Sequence, residues 1–105
     1  MIRLGKYNAR KTVVGDITFD SAKEARRWAD LNLMVKAGEI TDLKRQVRYP
    51  CIVNGKLVCA YFADFAYRDS DGVEVVEDVK GFKTDIYRLK KKLVAAVHSI
   101  DIREV

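Results

Sequence analysis

Three side chains in the second half of the chain offer a recognisable chemistry: Asp64, Asp78 and Lys80. Asp64 sits inside the apolar run YFADFAY, and Asp78 and Lys80 share one face of VVEDVK. A carboxylate in an apolar strand is costly to bury without compensation. Two such acids that meet repel one another and raise each other's pKa. A divalent cation relieves both problems. Mg²⁺ accepts a few carboxylate oxygens and keeps several waters, and Mn²⁺ takes similar ligands. Such an ion activates a water and shields a phosphate during in-line displacement. Lys80 would reach the same spot, to orient the water or to stabilise a pentacovalent phosphate. The chemistry is that of a phosphodiester hydrolase. The plainer reading of the same residues is a structural ion pair at a strand end.

The elements must bring these residues together, and strand parity says which can meet. Side chains alternate faces with period two. The spacing predicts a first strand over 42–50 (DLKRQVRYP), a second over 56–67 (KLVCAYFADFAY) and a third over 73–80 (VEVVEDVK). Valines on both faces of the third make it central. Asn54-Gly55 is the best hairpin signal in the chain, and DSDG at 69–72 is a second turn. Asp64 and Asp78 then approach at one end of a paired sheet. Glu77 points the other way, as a solvated or partner-facing acid. Gln46 on the first strand is a candidate to approach the site, with simple surface exposure as the alternative.

A helix precedes the strands. Ser21 and Glu24 have capping-box spacing, with Asp20 as an alternative cap, and Gly38 suits the far end. Glu24, Trp28, Leu31 and Val35 fall on one face; Lys23, Arg26, Arg27 and Asp30 are directed mostly elsewhere. Glu24 is thus an acid on an inward face, with capping as its rival role, and Trp28 reads as core. Val13 to Phe19 reads as a small hairpin around Gly15-Asp16. A second helix is expected over 84–97, with Ile86, Leu89, Leu93 and Val97 as its apolar stripe. A last strand is expected over 100–105. His98 at the second helix's end suits the dipole without a catalytic role.

Charge and composition narrow the class. The 105 residues amount to one domain, hydrophobic residues make up 49% and the net charge is +5. Residues 1–50 hold eleven Lys/Arg and six Asp/Glu, whereas residues 51–105 hold nine of each. A basic balance fits a polyanionic partner. Residues 1–12 read as a basic arm in which Arg3, Lys6, Arg10 and Lys11 could meet a phosphate backbone. Lys83, Arg88, Lys91 and Lys92 could do the same from the second helix, or form an ordinary solvated face. Cys51 and Cys59 are too few for a disulfide scaffold. A two-residue turn at Asn54-Gly55 would set Cys51 opposite Val58, so both thiols read as reduced and buried, in keeping with a cytoplasmic protein. No apolar run approaches the ~20 residues of a membrane span, and no stretch resembles a signal peptide.

These motifs carry a resemblance. YFADF followed by VVEDVKG resembles the PD-(D/E)XK nuclease motif, with Asp64 as the first acid and Asp78-Val79-Lys80 as the (D/E)-x-K element. The order helix, three strands, helix, strand is similar to that superfamily's core. The likeness is closer still to small phage-borne endonucleases long catalogued as a domain of unknown function. It spans nearly the whole chain: KYNARKT, ITFDSAKEARRW, AGEITDLKRQ, YFADF, VVEDVKGFKT, LKKKL and IREV. Ala63 departs from the Pro of the motif. The resemblance implies an α/β (α+β) restriction-endonuclease-like core, a mixed central sheet flanked by helices. It implies an Mg²⁺-dependent DNA endonuclease of a bacterial host's cytoplasm. It also implies that Glu24 joins the metal site and that the Val79 carbonyl is a further ligand.

With 105 residues there is no room for a separate specificity domain, so nicking or structure-selective cleavage is expected over recognition of a long sequence. Double-strand cleavage or junction resolution would call for two sites, hence a homodimer. The alternatives are a nucleic-acid-binding module without catalysis and a phage assembly protein that keeps a nuclease fold with a dead site.

Overall fold

Asn54 and Gly55 both adopt left-handed backbone, with φ of 52° and 76°, the geometry that matches the twist of a tight hairpin. They join the two longest strands, β3 (Thr41–Val53) and β4 (Lys56–Arg68), of 13 residues each. The computed structural model describes residues 11–79 and 83–105. Lys80 and Arg10, and with Arg10 most of the expected basic arm, lie outside the described residues. The remaining elements are β1 (Thr12–Val14), β2 (Ile17–Phe19), α1 (Ala22–Lys36), β5 (Glu74–Asp78), α2 (Asp85–His98) and β6 (Arg103–Glu104). The fold is α+β. A mixed four-stranded sheet runs β3-β4-β5-β6, with β6 parallel to β5 and the other pairs antiparallel. β1 and β2 form a separate hairpin through Gly15-Asp16, so the expected arm is already strand at Thr12.

The register near the turn differs from expectation. Val53 pairs with Lys56 and Ile52 with Leu57, but Cys51 then pairs with Cys59. Val58 is the extra residue of a bulge, which sets two residues against one. Cys51 therefore faces Cys59, not Val58. Both thiols are free, Cys51 buried and Cys59 half-buried. Burial, and then the Cys59 thiol beside it, push the Cys51 thiol up.

Adjacent valines of β5 show how the layers divide. Val76 packs with Tyr87 and Val94 of α2, and Val75 packs with Leu31 of α1. Neighbours in a strand face opposite sides, so the helices flank the sheet at β5. On the α1 side, Trp28 stacks on Phe65 at 5.8 Å and Leu31 is fully buried. Each such side chain contributes about 1.5–3 kcal/mol. Ser21 caps α1 by accepting the Glu24 N–H at 3.0 Å. Gly38, at φ 77°, lets the Glu39 N–H close back on Met34 O at 2.9 Å. Val35, expected inward, is exposed, since the buried stripe runs from Leu31 to Met34 instead.

The buried stripe of α2 also differs. Ile86, Leu89 and Val97 are exposed, and Tyr87 and Val94 are buried. The helix is turned by one residue, ~100° at 3.6 residues per turn. Polar tips explain the choice. The Tyr87 hydroxyl donates to Glu104 at 2.8 Å, and a ring nitrogen of His98 lies 2.6 Å from Pro50 O. An apolar count undervalues residues with an apolar body and a polar tip.

Candidate functional site

β3 and β4 change faces midway. Val47, Tyr49, Tyr61 and Ala63 belong to the α2 side, whereas Leu43, Phe65 and Tyr67 belong to the α1 side, despite equal parity within each strand. The switch falls at Gln46 and Asp64. Gln46 has φ 54°, a left-handed conformation that costs a non-glycine residue ~1–2 kcal/mol. Both strands break alternation at one level, and the acid of interest stands there.

At the same level β4 and β5 part. Phe65 and Glu77 form the last paired rung toward that end. Beyond it the side chains take over the ladder's bonds. The Asp64 N–H donates to Asp78 Oδ1 at 2.8 Å, and the Val79 N–H donates to Asp64 Oδ2 at 2.8 Å. The two carboxylates thus interlock, Asp78 with the backbone of Asp64 and Asp64 with the backbone just after Asp78. Asp78 is fully buried and Asp64 half-buried.

Glu24 and Gln46 extend the cluster. The Gln46 amide nitrogen lies 3.3 Å from Glu24 Oε2 and 3.4 Å from Asp64 Oδ1, bridging helix and strand. Glu24 Oε1 accepts the Asp20 N–H at 3.1 Å, so Glu24 both serves the helix start and reaches the acid pair. Burial, then the charge of Asp64, raise its pKa above the ordinary carboxylate value. The structure therefore brings Asp64, Asp78, Glu24 and Gln46 together, with Val79 bonded to Asp64; Lys80 lies outside the described residues.

Glu77 is not solvated. It is fully buried and bound side-on by Arg27, Nε to Oε1 at 2.8 Å and Nη2 to Oε2 at 2.7 Å. The Tyr67 hydroxyl donates to it as well. Burial pushes Glu77 up, but the hydrogen bonds from Arg27 and then Tyr67 outweigh it, and its pKa lies below the ordinary value. Parity correctly turned it from Asp78. Its partner, fifty residues away, left no local signal.

The basic candidates are mostly engaged. Lys83 and Lys91 both contact Glu104, at 2.9 and 3.4 Å, Arg88 pairs with Asp85 at 3.3 Å, and Lys11 pairs with Asp20 at 3.1 Å. Lys92 is exposed. Glu104, which the sequence reading did not single out, stands opposite Asp78 in the sheet. Lys83 first, then Tyr87, hold its carboxyl down at about 2. Lys23, Arg26 and Arg27 also line a cleft with Asp30, Val79 and Val105, of about 300 Å³.

The donors suit a hard cation in kind. Two carboxylates interlocked at a strand end are oxygen donors, which favour Mg²⁺ or Mn²⁺ over zinc. Among the described residues no three His, Cys, Asp or Glu side chains converge to hold a metal ion. A cation here would rest on the Asp64–Asp78 pair, with Glu24 linked through Gln46. No helix among the described residues is long and apolar enough to cross a membrane.

Residues 4–104 match the family described as "Protein of unknown function (DUF1064)", and the chain belongs to that family. No curated protein and no solved structure gives a significant match.

Proposed function

We propose that this member of the DUF1064 family is a metal-dependent endonuclease that hydrolyses DNA phosphodiester bonds, on a restriction-endonuclease-like core. The observation that carries the reading is the interlock of Asp64 and Asp78 where β4 and β5 separate: Asp78 accepts the Asp64 N–H and Asp64 accepts the Val79 N–H, each at 2.8 Å. A ladder could have closed there with backbone alone; two acids stand in its place. Mg²⁺ or Mn²⁺, when bound, would supply an activated water and neutralise charge at the phosphate.

The chain's own residues do the rest. Asp64 and Asp78 hold the cation, with the Val79 carbonyl beside them. Glu24, reached through Gln46, sets the position of Asp64 and adds a carboxylate to the site. Lys80, two residues beyond Asp78, orients the nucleophile or meets the developing charge. Arg10, Lys11, Lys83, Arg88, Lys91 and Lys92 contact the backbone of DNA. Nicking or structure-selective cleavage fits so small a domain, a homodimer would be needed for paired cuts, and a bacterial cytoplasm infected by phage is the setting.

The test is incubation with supercoiled, linear, single-stranded and branched DNA, with Mg²⁺, Mn²⁺ or EDTA, beside Asp78→Ala and Lys80→Ala. Cleavage that needs metal and both side chains is expected. Cleavage that survives EDTA or Asp78→Ala would refute the mechanism. A second reading, a nucleic-acid-binding module without catalysis, draws on the carboxylates' bonds to backbone N–H groups, which serve structure. Binding without cleavage of any substrate would select it.

A further inference from the structure

We propose that Glu104 is a positioning residue that sets Lys83 and Lys91 as a paired-ammonium seat for a phosphate of the substrate strand, next to the Asp64–Asp78 pair. The proposal rests on the nuclease reading for its place in the reaction, though not for the binding itself.

Three side chains converge on one carboxylate. Lys83, just before α2, lies 2.9 Å from Oε1. Lys91, two turns into α2, lies 3.4 Å from Oε2. The Tyr87 hydroxyl, between them in sequence, donates to Oε2 at 2.8 Å and fixes the carboxylate's orientation. Glu104 is the parallel partner of Asp78, and the Val105 N–H closes on Asp78 O at 2.9 Å. Neighbouring strands lie ~4.8 Å apart, so the two lysines are held about one strand's width from Asp78.

Stability alone does not account for the arrangement. The side chains are 42%, 31% and 26% exposed for Lys83, Lys91 and Glu104, and ion pairs in such surroundings contribute little. Two ammoniums against one carboxylate leave a surplus positive charge beside an acidic site. A free lysine must give up much rotamer freedom to hold a phosphate. Lysines already gathered by Glu104 give up less, which is preorganisation. Phosphate is the anion that would use both: each ammonium has three N–H donors, more than its contact with Glu104 takes up, and a phosphate's two non-bridging oxygens can accept one from each lysine; the adjoining acids repel a lone anion unless it belongs to a strand held elsewhere along its length.

Binding of fluorescein-labelled duplex and single-stranded DNA, read by anisotropy in EDTA across a KCl series, tests the seat apart from cleavage. Lys83→Ala with Lys91→Ala should weaken binding on the order of tenfold, equally across sequences, and lower the salt slope by about 2. Lys44→Ala with Lys56→Ala, which removes equal charge elsewhere, should lower it less. Glu104→Gln, and more mildly Tyr87→Phe, should weaken binding roughly three- to tenfold with the slope kept, because the ammoniums remain but are no longer aligned. Tighter binding by Glu104→Gln would mean that the carboxylate only competes with phosphate, and would overturn the proposal. So would a lowered Tm with unchanged binding, the mark of a mere pin on β6, or a wild-type protein that binds no DNA at low salt. Binding as described without cleavage in Mg²⁺ would instead refute the nuclease reading and leave the seat standing.

Discussion

Glu77 and Asp78 are neighbours in β5, and both are fully buried, yet they are compensated in different ways. Glu77 faces α1 and meets a guanidinium at both oxygens and a phenol besides. Asp78 faces the α2 side and accepts the backbone N–H of Asp64 at 2.8 Å. An acid matched by arginine holds two elements together. An acid that accepts a backbone N–H beside a second acid is the one the proposed mechanism assigns to a cation. On the proposed function, the contrast sets a structural carboxylate beside a chemical one within a single dipeptide.

The largest expected effect lies on the structural side. Arg27→Ala should lower the unfolding free energy in urea by about 3–5 kcal/mol, because it strands a buried charge. Adding Glu77→Gln should restore part of that loss; strict additivity in the double-mutant cycle would deny the coupling. On the chemical side the ranking inverts. Asp78→Asn should cut cleavage of supercoiled DNA by more than about a hundredfold, with stability changed by less than about 1 kcal/mol, since the amide oxygen still accepts the Asp64 N–H. Mg²⁺ at a hundred times its Kd should stabilise the wild-type chain by about 2.7 kcal/mol and the Asn variant hardly at all. If both variants lose stability alike, the two acids do one job and the comparison fails.

Acid titration sharpens the contrast further. The Glu77 pKa is lowered in the folded chain, so below the ordinary carboxylate value the unfolded chain binds the proton first. The pair's stabilisation is then full above the unfolded pKa, ~4.3, and is lost as pH falls through the lower folded value. Urea midpoints measured from pH 6 downward should therefore drop for the wild type and flatten for Glu77→Gln. Glu24, whose pKa is raised, acts with the opposite sign: its contribution weakens as pH rises toward neutrality. The smallest effect belongs to Gln46→Gly, which relieves left-handed strain and should gain about 1 kcal/mol while lowering cleavage by removing the bridge from Glu24 to Asp64. Unchanged cleavage would remove Gln46 from the site.

Local chemistry was readable from the chain. Ser21, Gly38 and Asn54-Gly55 mark element ends by conformational need, and each does so in the structure. Strand parity correctly put Asp78 and Glu77 on opposite faces. What could not be read depends on distant partners or on a single inserted residue. The Val58 bulge shifts the cysteine rung, and no pattern of hydrophobicity announces a bulge. Glu77 looks solvated until Arg27 arrives from α1. α2 has two plausible apolar stripes, and the choice rests on what Tyr87 and His98 reach, not on their hydropathy. The face switch at Gln46 and Asp64 breaks the alternation from which strand faces are inferred.

The separation of partners along the chain has a kinetic consequence. The β3–β4 hairpin closes through a two-residue turn and can zip outward from it, whereas Arg27 and Glu77 are 50 residues apart and Glu24 and Gln46 are 22 apart. Long loops must surrender entropy before their contacts return anything. The hairpin should therefore be native-like early in folding, with Asp64 in place but alone. The α1 and β5 contacts would follow, delivering Glu24 and Asp78 to it. Substitutions near Asn54-Gly55 should then slow folding, whereas those at Arg27 should mainly hasten unfolding. The acids would acquire one another only as the chain commits to its final shape.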